Sequence, residues 1–143
     1  MYKFLQQTVA DYMTRTVKTV TREVSVRELN ALFERDDFNS YPVEEDSQIV
    51  GVVTKFDVLK CFAFTPSQMV PRYDDLMNRT VGDIMTTAFI YVGADTRLTR
   101  LLQLMVEHKI RSIPVIGNDH RLVGIIARED VLRALAASAE DGK

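Results

Sequence analysis

The sequence predicts a mixed fold of the α+β or α/β class, built from two copies of one β-α-β-β-α unit. Three observations predict it. The first is an internal repeat: Thr8-Val-Ala-Asp-Tyr-Met-Thr14 matches Thr80-Val-Gly-Asp-Ile-Met-Thr86, and Ser40-Tyr-Pro-Val43 matches Ser112-Ile-Pro-Val115 at the same separation. After one extra turn residue in the second copy, Ile49-Val-Gly-Val-Val-Thr-Lys-Phe-Asp-Val-Leu59 matches Leu122-Val-Gly-Ile-Ile-Ala-Arg-Glu-Asp-Val-Leu132. The second is a pair of short β-branched runs in each copy, separated in the second by the turn-tolerant residues Gly117-Asn118-Asp119. The third is a change to helical period directly after the second run, where Val131, Leu132, Leu135 and Ala136 share one helix face.

Taken in order, Tyr2, Phe4 and Leu5 give the N-terminus enough apolar surface for a short helix that caps the body. Thr16–Val20 alternates and reads as a strand. Ser25-Val-Arg-Glu28 has the capping-box pattern, so a helix begins there with Val26, Leu29, Leu32 and Phe33 inward. Its counterpart carries Leu98, Leu101, Leu102 and Met105 and ends on His108-Lys109, cations that suit the C-terminal end of the helix dipole. Between the copies, Phe64–Arg79 contains two prolines but also Met69, Val70, Tyr73, Leu76 and Met77, which predicts a packed connector with a short helix after Pro71. Ala136–Lys143 is expected to fray into solvent. The boundaries are a single module over 1–143, with motif 1 at 8–62, a connector at 63–79 and motif 2 at 80–135. One copy alone leaves a sheet face uncovered, and its twin supplies the cover.

With 143 residues and a formal charge of −2, the chain can bury a real core but carries no global basic field for nucleic acid or an acidic membrane. Cys61 is the single cysteine, and its aligned partner is Ala134. It therefore forms no internal disulfide and reads as a packed helix thiol. No apolar run approaches membrane-spanning length, and Met1–Gln7 lacks the apolar centre of a signal peptide. A cytoplasmic location is expected.

The doubled Asp11-Tyr-Met-Thr14 and Asp83-Ile-Met-Thr86, Tyr41-Pro-Val43 and Ile113-Pro-Val115, and above all Gly51-Val-Val-Thr-Lys-Phe-Asp57, resemble a pair of CBS motifs, together called a Bateman module. The resemblance covers nearly the whole chain. It implies halves related by a pseudo-twofold axis with two clefts between them, and a flat homodimer formed by a second pairing of modules.

Asp57 and Asp130 fall at the first turn of the last helix in each copy. Two readings stand side by side. A carboxylate there caps the helix, as Thr54-Lys-Phe-Asp57 would; it can also accept both hydroxyls of a ribose, as an acidic residue does in dinucleotide folds. The resemblance implies the second role. The copies differ, because Thr54 is replaced by Ala127. Lys55 and Arg128 precede the carboxylates at helix N-termini, where unpaired N–H groups already favour anions, although Arg128 could pair with Glu129 or Asp130. The segment before each Pro-Val separates the copies further: Lys109-Ile110-Arg111 is basic, whereas Asp37-Phe38-Asn39 is acidic. The resemblance implies that side chains here touch phosphate and that the apolar one, Ile110 or Phe38, lies on adenine. A phosphate near Asp36 and Asp37 would meet like charge. The better site is therefore expected in the second copy, at Lys109, Ile110, Arg111, Pro114 and Asp130 with Lys55 and Arg128 nearby. The loss of threonine at Ala127 counts against it, and Thr54, Asp57 and Phe38 keep the first in contention.

No enzyme constellation emerges. His108 and His120 are not spaced as metal ligands, Cys61 has no evident base, and there is no Gly-rich phosphate loop. The expected function is a stand-alone, non-enzymatic regulatory module binding an adenosine-containing ligand, with AMP, ADP or ATP first and S-adenosylmethionine or NAD also considered. It would signal to an effector protein that the sequence does not identify. The alternative is a ligand-free dimerisation or scaffold module in which the aspartates merely cap helices.

Overall fold

The computed structural model describes residues 2–63 and 73–141. Elements follow in the order α1 (Tyr2–Gln6), a 3-10 turn (Val9–Asp11), α2 (Val26–Asp36), β1 (Ser40–Glu45), β2 (Gln48–Thr54), α3 (Lys55–Cys61), α4 (Tyr73–Met77), α5 (Val81–Ile84), α6 (Leu98–His108), β3 (Ser112–Ile116), β4 (Leu122–Ala127) and α7 (Arg128–Asp141). They form two compact units. One runs from Lys18 to Phe89; the other joins the residues up to Val17 with those from Ile90 onward. The opening Met-Thr segment of each repeat thus lies in the unit that holds the other repeat's hairpin.

The unit of Lys18–Phe89 is built on the antiparallel hairpin β1–β2. Asp46 and Ser47 take left-handed dihedrals (φ 53° and 67°) in its two-residue turn, a geometry suited to the twist of the flanking strands. Val43 pairs with Gly51 and Glu44 with Ile49, so Val50 is the extra residue of a bulge. The Val52 N–H donates to the Thr86 carbonyl at 2.9 Å and the Thr86 N–H returns the bond at 2.8 Å. Because Val52 spends its backbone groups on Thr86, its opposite number Pro42 is asked for no N–H there. The Pro42 carbonyl accepts from Val20, and Val20 O accepts from Glu44. The strand expected at Thr16–Val20 is therefore a single parallel bridge at Val20. Val26, Leu29 and Phe33 of α2 are buried against Val43, Val53, Val58, Met77 and Val81, with Leu32 partly buried. Of the expected capping box, the Ser25 hydroxyl accepts the Glu28 N–H at 3.1 Å.

The second unit repeats these devices. β3 and β4 pair with a bulge after Val115, Thr14 brackets Ile125 by two backbone bonds of 2.8 and 2.9 Å, and Val92 bridges Pro114 and Ile116. In the turn the left-handed residue is His120 (φ 63°), not Gly117, Asn118 or Asp119. Leu98, Leu101 and Met105 of α6 pack on Ile113, Val115 and Ile126. The segment expected to fray from Ala136 is instead helical as far as Asp141, the end of α7. Its buried face is Val131, Ala134 and Ser138, while Leu132 is exposed. Small residues allow close approach of α1, whose Phe4 is buried and donates its N–H to Ser138 Oγ at 3.0 Å.

The helix expected after Pro71 is α4. Phe64–Arg72, including Met69, Val70 and Pro71, lies outside the described residues. Among the described residues no helix is long and apolar enough to cross a membrane.

Candidate functional site

Each unit has a corner where the second strand of its hairpin becomes a helix. In the first, Lys55 opens α3 and its N–H donates to Asn39 O at 3.0 Å; in the second, Arg128 opens α7 and donates to Arg111 O at 2.9 Å. These bonds hold the segment before Pro-Val beside the helix start. They bring Arg111, Arg128 and Asp130 together in one unit, and Phe38, Thr54, Lys55 and Asp57 in the other.

Both aspartates are buried, at 3% exposure for Asp57 and 7% for Asp130. Asp57 closes the capping box: Oδ2 accepts the Thr54 N–H at 2.8 Å and the Thr54 hydroxyl at 3.1 Å, while the Asp57 N–H donates to Thr54 Oγ1 at 3.1 Å. Its Oδ1 accepts from Thr86 Oγ1 at 3.3 Å and pairs with Lys60 Nζ at 3.0 Å. Asp130 Oδ2 accepts the Ala127 N–H at 2.8 Å, and Oδ1 pairs with Arg133. The capping role is thus real at both corners.

Thr86, Lys60 and Arg133 were not singled out by sequence reasoning. For the two cations a signal was present, since Asp57-Val-Leu-Lys60 and Asp130-Val-Leu-Arg133 repeat an i, i+3 acid–base pair. Arg128 pairs with Glu129 at 3.1 Å rather than with Asp130. The Glu129 carboxyl is held below the usual carboxylate range, first by its own backbone N–H, then by Arg128 and the charge of Arg111; burial opposes.

Lys109 is exposed and takes a left-handed conformation (φ 54°) at the end of α6, the place Asp37 takes at the end of α2. Ile110 is half-buried against the core of its unit, and Pro114 is buried in β3. Phe38 is exposed and tilted over Tyr41, with ring centroids 5.6 Å apart. Lys55 Nζ stands 5.9 Å from the Phe33 ring centroid.

The charge argument against the first corner is corrected at Asp36. Its carboxylate is gripped by Arg35 at 3.0 and 3.1 Å and by Lys18 at 2.8 Å, and Tyr41 OH shares its proton between Asp36 Oδ2 at 2.7 Å and Leu32 O at 2.8 Å. Two cations on one carboxylate leave no net negative charge there. Arg35, Lys18 and Tyr41, in that order, hold the Asp36 carboxyl far below the ordinary range. What remains acidic in that segment is Asp37.

The repeated motifs, the doubled hairpin and the two aspartate corners define a protein of the two-motif class suggested by the sequence. The chain belongs to the CBS domain family, whose model matches residues 9–63 and 81–137. It is similar to CBSX2 of Arabidopsis thaliana, solved in complex with AMP, at 29% identity and a TM-score of 0.78 over 92% of this chain and 98% of that one. It shares its fold with MJ1225 of Methanocaldococcus jannaschii, with a TM-score of 0.84 and 24% identity over 91% of this chain and 48% of that one. A homoserine O-acetyltransferase of Methanosarcina acetivorans is 28% identical over 124 residues, which are 86% of this chain and 21% of the enzyme. The chain spans less than two thirds of the length of the curated relatives it matches.

Proposed function

We propose that the chain is a regulatory module that binds an adenosine phosphate at the corner of Asp130. The observation that carries this reading is the setting of that carboxylate: buried at the start of a 14-residue helix, beside Arg111 and Arg128, with Lys109 and Ile110 on the adjoining segment. Asp130 would take ribose hydroxyls, Ile110 would lie on the adenine, and Lys109, Arg111 and Arg128 would meet phosphate. The AMP complex of CBSX2 supports adenosine as the recognised group. The cations favour AMP, ADP or ATP over S-adenosylmethionine, whose sulfonium they repel, and NAD remains in the test panel. Binding, not turnover, is the role. By favouring one of two conformations through its difference in affinity for them, the ligand would report to an effector protein.

A second reading concerns assembly. Phe56, Leu59 and Leu132 are large, apolar and well exposed on α3 and α7, which supports a homodimer formed through these helices. It is compatible with ligand binding, and by itself it is the scaffold alternative.

A thermal-shift panel of AMP, ADP, ATP, S-adenosylmethionine and NAD tests the reading. A ligand specific to the folded state raises the melting temperature with concentration, by about 2.7 kcal/mol of stability at a hundred times Kd. No rise with any adenosine compound leaves the scaffold as the better account.

A further inference from the structure

The first unit carries a trough with a crest beside it. Lys55, Val58, Leu59 and Phe62 stand at the i, i+3, i+4, i+7 spacing of one stripe along α3. With Phe33 of α2 and Tyr73 of α4 they line an open groove of about 450 Å³. Phe56 projects next to it at 66% exposure, one helical turn before Leu59 at 65%. The second unit differs at both places. There α1 packs on α6 and α7 together, and Phe4 is buried in one cluster with Leu101, Val131 and Ala134. The helix at the corresponding place in the first unit, α4, packs on α2, and α3 ends at Cys61, whereas α7 runs on to Asp141. Phe56 is matched by Glu129, which pairs with Arg128.

We propose that the groove between α2 and α3 takes α3 of a second copy of this chain, with Phe56 of each copy entering the groove of the other about a twofold axis. This rests on the homodimer reading above and fixes its arrangement: first unit faces first unit. Crest and trough lie side by side on one surface, which is the self-complementarity that an isologous contact requires. Glu34 and Lys55 stand on the groove walls with no ion pair among the described residues. They supply one charge of each sign, which a twofold contact matches reciprocally. The α7 helix of a second copy is the poorer occupant, because Glu129 set against Phe56 would lose its water to an aromatic ring.

Sedimentation equilibrium on the full chain tests it. A dimer is expected, and Phe56→Glu, which writes the second repeat's residue into the first, should weaken it by about thirtyfold or more, the value of a buried aromatic anchor. Phe56 is exposed in the single chain, so the change spares folding, which circular dichroism checks. Crosslinking reads the arrangement independently. In a Cys61→Ala background, a chain carrying Leu59→Cys should be joined to its own kind by a short bismaleimide. A dimer that Phe56→Glu leaves intact, or one in which Leu59→Cys is joined only to Leu132→Cys of a second chain, overturns the inference and leaves the homodimer reading standing. A monomer at every concentration overturns both and leaves the groove to a different protein.

Discussion

Gly124 lies against Met13: a Cβ on this glycine would stand 2.9 Å from Met13 Sδ and 2.9 Å from the Thr14 carbonyl oxygen. Gly51 meets Met85 and Thr86 in the same way, at 2.8 and 3.0 Å. The glycine of each motif therefore packs on the Met-Thr pair of the other motif, and Thr14 and Thr86 add a backbone bridge to the outer side of β4 and β2. The need is for space, since neither glycine has a positive φ.

Gly124→Ala should destabilise the protein by about 1–3 kcal/mol, the usual cost of overpacking. A methyl group can push the thioether aside but not the carbonyl. Urea unfolding with an unchanged m-value checks it, and an unchanged midpoint would show that the strand gives way freely.

Asp36 sets the acid limit of stability. Its folded pKa is lowered by Arg35, Lys18 and Tyr41, so its contribution is complete above the unfolded value of about 4 and is lost as pH falls through the folded one. Tyr41 is shifted upward, first by burial and then by Asp36; its contribution is complete below about pH 10 and lost as pH rises further. Urea midpoints should fall at both ends, and Asp36→Asn should flatten the acid limb. An acid limb parallel to that of the unaltered protein contradicts this assignment.

Ser138→Ala leaves the buried Phe4 N–H without its acceptor. A loss of about 1–3 kcal/mol is expected for an unsatisfied buried donor, with faster amide exchange in α1. Exchange at Phe4 that stays slow would mean that α1 is held by Phe4 packing and by the bonds from Leu98 N–H to Gln7 O and from Arg97 to Leu5 O.

Arg128→Glu and Arg111→Glu should each weaken AMP by about tenfold or more, the value of a charge-assisted bond, and should reduce the salt dependence of binding. Arg121→Glu is the control, because Arg121 pairs with Asp119 in the β3–β4 turn. Equal losses in all three would point to a diffuse field and away from a phosphate contact.

Much of this was legible because the chain says most things twice. A duplicated Pro-Val, Gly and Asp located both hairpins and both aspartate corners, since each motif has a local steric or capping cause. The pairing of Asp57 with Lys60 and of Asp130 with Arg133 was also written in the spacing, but it gains meaning only once the carboxylates are known to be buried. Thr86 on Asp57 was not legible: 29 residues separate them, and the contact depends on Thr86 pairing with Val52. The neutralisation of Asp36 required Lys18, which no local pattern links to it. The length of α7 was missed because Ala136, Ala137 and Ser138 carry too little apolar surface to announce a buried face, although α1 packs on that helix.

The most direct test of the account is a crystal structure of the chain grown with AMP. It predicts a nucleotide with the ribose 2′ and 3′ hydroxyls about 2.5–3.0 Å from the Asp130 carboxylate oxygens and the phosphate facing Arg111 and Arg128. A nucleotide seated on Asp57 alone, or bound away from both aspartates, would contradict it.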